Sequence, residues 1–176
     1  MQRLEEKGRV RLKLSVERRS FLISLKMLNM TSLKDLLVSS NFDAAVNDMS
    51  AFIEDTVSKQ SGLTGIALKG AMSAATKVDS NIVAKGSRRL LPEMADSLDG
   101  LWQDYKNNNA SANFGAHLEA NSTQALDAIL SVADRNAGSI NVPGLDKVYK
   151  GVRGKAAKVI EQELPAIGQL IEKNAQ

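Results

Sequence analysis

Phe42-Asp43-Ala44-Ala45-Val46-Asn47-Asp48-Met49-Ser50-Ala51-Phe52-Ile53-Glu54-Asp55-Thr56-Val57 is the stretch from which the fold is read. Its apolar residues Phe42, Val46, Met49, Ile53 and Val57 recur at steps of four, three, four and four. That rhythm puts them on one face of a helix and does not fit the alternation of a strand. Gly62 follows as the expected stop, in the manner of a glycine just past a helix end.

Moving toward the N-terminus, Ser32 and Asp35 have the spacing of an N-cap with an acidic residue at its third helical position. Ordered sequence is expected to begin there, so the chain reads as a basic extension over residues 1–30 and a single helical domain over 31–176. The extension carries eight Lys/Arg against three Glu, whereas the remainder has fifteen basic and seventeen acidic residues. The basic pI of about 9.2 therefore belongs to the extension, and the domain has no bulk attraction for nucleic acid or anionic lipid. Two readings of the extension stand: a disordered tail lying upstream of a start at Met27 or Met30, or an amphipathic basic arm that touches membrane or nucleic acid. Its apolar run Phe21 to Leu25 is short, is ended by Lys26, and is followed by no small-residue cleavage site. Nowhere does the sequence offer the roughly 18 apolar residues of a membrane span.

Moving toward the C-terminus, Leu63 to Val78 is rich in small residues, and Ala67, Gly70, Ala71, Ala74 and Ala75 share one helix face. Such a close-packing face marks a tightly packed central helix, with a dimer seam as the alternative. Ser80 is a cap for the next helix, in which Leu91, Met94, Leu98, Leu101 and Tyr105 keep the rhythm across Pro92; the proline is expected to restart or kink the helix. Asn107, Asn108 and Asn109 are expected to form a mid-domain loop. Leu118, Leu126, Ile129, Leu130 and Ala133 mark a further helix, with Ser122 as a cap and Gly138 as its stop. Ser139 to Pro143 is the only strand-like string and is too short to found a sheet. Val148, Val152, Ala156, Ile160, Leu164, Ile167 and Ile171 define a last helix. The fold class is all-α, a compact bundle of about five to seven helices.

A shift of 73 residues superposes Lys77 on Lys150, Leu91 on Leu164 and Pro92 on Pro165. A shift of 76 places Ile53 on Ile129 and Gly62 on Gly138, so both halves read as helix, glycine stop, helix, and a helix containing Leu-Pro, the mark of two weakly repeated helical halves. The run Ser61 to Gly70, the segment Leu90-Leu91-Pro92-Glu93-Met94-Ala95-Asp96-Ser97-Leu98 and the closing Val159 to Ile171 resemble an uncharacterised family of small helical proteins from actinobacteria. The resemblance covers roughly Ser32 to Lys173. It implies a cytoplasmic bacterial protein and transfers no catalytic or binding residue.

The chemistry visible in the sequence is sparse. Cysteine is absent, which removes disulfides, thiolate metal sites and cysteine nucleophiles. His117 is the one histidine, and Glu119 diverges from it by roughly 200° on a helix, so it reads as a structural residue rather than a metal ligand. No Ser-x-x-Lys arrangement, nucleophile elbow or phosphate loop occurs, and the basic string Gly151-Val152-Arg153-Gly154-Lys155 lacks the sheet that a nucleic-acid clamp of that kind needs. No catalytic, cofactor-binding or metal residue is assigned. The basic patch Lys147, Lys150, Arg153, Lys155 and Lys158 reads as a solvated face or as a docking patch for an acidic partner or nucleic acid.

Three functions compete. The leading expectation is a non-enzymatic, cytoplasmic interaction or scaffold module that binds itself or another protein. The alternative is a carrier for an apolar, lipid-like small molecule held between helices, motivated by Met49, Met72, Met94 and the small-residue helix. An enzyme built from dispersed Lys, Asp and Tyr residues is the third.

Overall fold

A computed structural model of the chain describes residues 31–39, 41–108, 111–137 and 144–176. Ser32 is the cap that its spacing predicts: its Oγ accepts the Asp35 N–H at 3.1 Å. From there the described residues form seven helices and no strand: α1 Leu33–Ser39, α2 Phe42–Lys59, α3 Gly62–Val78, α4 Ile82–Asn108, α5 Phe114–Ala120, α6 Ser122–Ala137 and α7 Leu145–Asn174.

Several boundaries differ from the sequence reading. Helix α2 ends at Lys59, before Gly62, and Gly62 adopts a left-handed φ of +62° at the start of α3. Asp79, rather than Ser80, prepares α4, its Oδ1 accepting the Asn81 N–H at 2.9 Å. Asn107 and Asn108 are still helical, and Asn107 bonds back to the Gln103 carbonyl at 2.7 Å. Pro92 and Pro165 neither stop nor restart their helices; each sits inside one. Gly138 and the strand-like string 139–143 lie outside the described residues, as does the extension 1–30.

The internal echo survives only around its Leu-Pro sites. Leu91 and Leu164 are both fully buried and each precedes a mid-helix proline. The turn between α3 and α4 has no counterpart in the second half, where α7 stays helical through the equivalent residues.

The core joins α1, α2, α4, α5, α6 and α7 through Leu33, Val46, Leu98, Phe114, Ile129 and Ile171. Trp102 and Phe114 meet edge-on, centroids 5.0 Å apart. Carboxylates then staple the helices. Glu172 accepts the Tyr105 hydroxyl at 2.6 Å and the Phe114 N–H at 3.0 Å, joining α4, α5 and α7. Asp99 accepts the Leu33 N–H at 2.7 Å and so closes the start of α1 from α4. No helix among the described residues is long and apolar enough to cross a membrane.

Candidate functional site

The apolar face quoted at the outset does not pack solidly along its whole length. Beyond Met49, the side chains of Phe52, Ile53 and Val57 on α2 border a cavity of about 490 Å³. Helix α3 supplies Leu68, Met72 and Ala75, and α4 supplies Ile82, Val83, Leu90 and Met94. Ile129, Val132 and Ala133 of α6 and Ala156, Val159 and Ile160 of α7 complete the walls. Each helix turns the stripe it would bury in any bundle toward this space. The void is thus a gap in the core's own apolar lining rather than a polar cleft. Met49, Met72 and Met94, which lie far apart in the sequence, all line it, and their flexible thioethers suit an adaptable apolar wall.

One atom in that wall is out of place. Ser87 lines the cavity at 4% exposure, and its Oγ is the buried side-chain polar atom without a hydrogen-bond partner among the described residues. Glu163 is the one charged residue on this lobe.

A second lobe, about 660 Å³ and continuous with the first through Val57, Leu68, Met72, Gly86, Leu90 and Tyr149, runs outward between α3, α4, α6 and α7. It reaches the surface at Lys85 and Arg89, both exposed. Asn136, only 6% exposed, organises that rim: Arg89 Nε donates to its Oδ1 at 2.8 Å, while its amide donates to Glu93 at 2.9 Å and to the Val132 carbonyl at 3.0 Å.

Tyr149 lines both lobes and is anchored from outside. Its hydroxyl donates to Asp134 at 2.6 Å, and Arg153 grips the same carboxylate through Nε and Nη2, both at 2.6 Å. The Arg153 fork, with the Tyr149 hydroxyl second, holds the Asp134 carboxyl down at about 2. Burial, followed by the hydrogen bond to Asp134, pushes the Tyr149 phenol up to about 12.

The basic patch divides accordingly. Arg153 is committed to Asp134, whereas Lys147, Lys150 and Lys158 are exposed and Lys155 is half-buried; Lys150 approaches Asp146 at 3.9 Å. The small-residue face also turns out differently from a central packing seam. Gly70 and Ala74 are exposed, with nothing within 4 Å of a Cβ built on Gly70, while Ala67 is half-buried and Ala71 borders the second lobe.

His117 is 5% exposed. Ser111 Oγ stands 3.4 Å from its Nδ1 and Asp104 Oδ2 3.4 Å from its Nε2, an order of side chains that sequence spacing did not bring together. The ring stacks on Phe114, and two N–H groups of α5's first turn are already taken, Phe114 by Glu172 and Ala116 by Asn113. None of the three side chains lines the cavity, and the cluster ties α5 to the end of α4. No group of three His, Asp or Glu among the described residues is placed to hold a metal ion.

A family of unknown function (DUF6918) matches residues 33–175, which is nearly all of the described fold. The chain belongs to that family. The matched span takes in every helix that lines the cavity and leaves out the basic extension. No curated protein and no solved structure matches the chain.

Proposed function

We propose that the protein binds one apolar, lipid-like molecule between α2, α3, α4, α6 and α7, in the manner of a carrier. The observation that carries this reading is the cavity of about 490 Å³ with an apolar wall and a stranded Ser87 hydroxyl. Its size lies within the roughly 300–1,000 Å³ typical of small-molecule sites. The cavity is open to solvent, so unfilled it leaves its apolar wall against water, at about 25 cal/mol per Å² of apolar surface. Water is a poor filler because the wall gives it almost no partners. A hydrocarbon ligand removes the penalty, and one with a hydroxyl or carbonyl oxygen at the right depth also satisfies Ser87.

This reading displaces the scaffold expectation from first place, since the scaffold needs no interior space. The cytoplasmic bacterial setting expected from the sequence remains part of the proposal, supported by the lack of cysteine. A native mass spectrum of protein purified from its own host tests it. A stoichiometric small mass that leaves on organic extraction, after which the protein takes up N-phenylnaphthylamine, is expected; a protein-only spectrum together with no uptake of that probe would sink the carrier.

A further inference from the structure

Helix α3 is apolar on both sides. Its inner face gives Leu68, Met72 and Ala75 to the cavity, so it forms one wall between that space and the outside of the bundle. Its outer face leaves Leu63 81%, Ile66 73% and Val78 60% exposed. Single exposed apolar residues are ordinary, but three large ones on one helix are not. Between them lie Gly70 and Ala74, too small to screen them. The helix Gly62–Val78 also holds Lys69 and Lys77, both exposed, and no acidic residue, although residues 31–176 as a whole carry more acidic than basic side chains.

We propose that this face of α3 docks on an anionic lipid bilayer. Large apolar side chains enter the boundary between headgroups and acyl chains, and the two lysines meet the lipid phosphates, the arrangement by which interfacial helices hold a membrane surface. The absence of carboxylates on the helix decides for a negatively charged surface over a neutral one. Docked in this way, the wall that separates the cavity from solvent becomes the wall that separates it from lipid, and an acyl ligand reaches the cavity without crossing water. The cargo in this picture rests on the carrier reading; the contact itself does not.

The full chain contains no cysteine, so single labels can be placed at will. An environment-sensitive fluorophore on Ile66→Cys is compared with the same label on Ser131→Cys, an exposed position on α6. With vesicles of equal parts phosphatidylcholine and phosphatidylglycerol, the label at position 66 shifts to the blue and the label at 131 does not. Pure phosphatidylcholine vesicles give a much smaller shift, and the double change Leu63→Ser, Val78→Ser lowers the vesicle-bound fraction about tenfold. The inference is overturned if the protein sediments with anionic vesicles while position 66 stays in water, which would assign binding to the basic extension. It is equally overturned if position 66 shifts with protein concentration in the absence of vesicles, the signature of a second copy on this face. Uptake of N-phenylnaphthylamine in vesicle-free buffer is read on the same samples. Uptake without a shift removes the docking alone, and a shift without uptake removes the carrier alone.

Discussion

Gly115 and Gly168 touch backbone to backbone: a Cβ on Gly168 would fall 2.5 Å from the Cα of Gly115 and 2.7 Å from its nitrogen. A Cβ on Gly115 would in turn fall 2.1 Å from the Pro165 carbonyl oxygen. Helices α5 and α7 thus cross at a distance that only two glycines permit, and the crossing sets where Glu172 meets Phe114 one turn further along. Because the obstacle is backbone rather than a movable side chain, Gly168→Ala is expected to lower stability by about 3 kcal/mol. Gly70→Ala, in open space on an exposed helix, is expected to raise it by nearly 1 kcal/mol. Urea midpoints of the two variants against wild type give both signs in one experiment.

The cavity makes an opposite pair of predictions for function. Ser87→Ala deletes a buried hydroxyl that has no partner among the described residues, so the ligand-free variant is expected to be more stable by about 1 kcal/mol. If the ligand offers that hydroxyl an oxygen, the variant loses about tenfold in affinity for the extracted ligand. Ala133→Phe, at a position shared by both lobes, is expected to remain folded by circular dichroism and to lose probe uptake.

Asn136 is the buried hub of the cavity rim. Truncation in Asn136→Ala removes the side-chain hydrogen bonds that join it to Arg89, Glu93 and the Val132 carbonyl. A loss of about 1–3 kcal/mol is expected in thermal or urea unfolding.

Acid weakens the link between α6 and α7 in a defined window. The Asp134 carboxyl is held at about 2 in the folded chain, against about 3.9 when unfolded. A depressed carboxyl contributes stability that is present above the unfolded value and lost as pH falls toward 2. Tyr149, raised to about 12 from about 10, contributes below pH 10 and loses its contribution as the pH climbs toward 12. Urea midpoints measured from pH 5 downward are expected to fall more steeply for wild type than for Asp134→Asn, and parallel curves would contradict the assignment.

The helical class was readable because helices α2, α4, α6 and α7 each have one apolar stripe and one polar side. Ser32 was readable as a cap because the interaction spans three residues. The orientation of α3 was not, since a helix with apolar residues on both sides gives little sign of which face turns inward. The small-residue stripe of Gly70 and Ala74 accordingly lies on the outside. The cavity was hard to read for a different reason: five separate helices wall it, and only the three methionines and the small-residue helix pointed to it. His117 met Ser111 and Asp104 across a helix junction whose geometry the short-range spacing of His117 and Glu119 does not contain. Similarly, nothing local distinguishes Gly168, set against another helix's backbone, from Gly154, which has open space around its Cβ position.

Helix α7 packs against α1, α2, α3, α5 and α6 and is the last of the seven to leave the ribosome. Until residues 145–174 emerge, the apolar sides of the earlier helices lack this partner, and the surface that later lines the cavity is open to solvent or to whatever shields a nascent chain. A product truncated before this segment is therefore expected to aggregate more readily than the full chain.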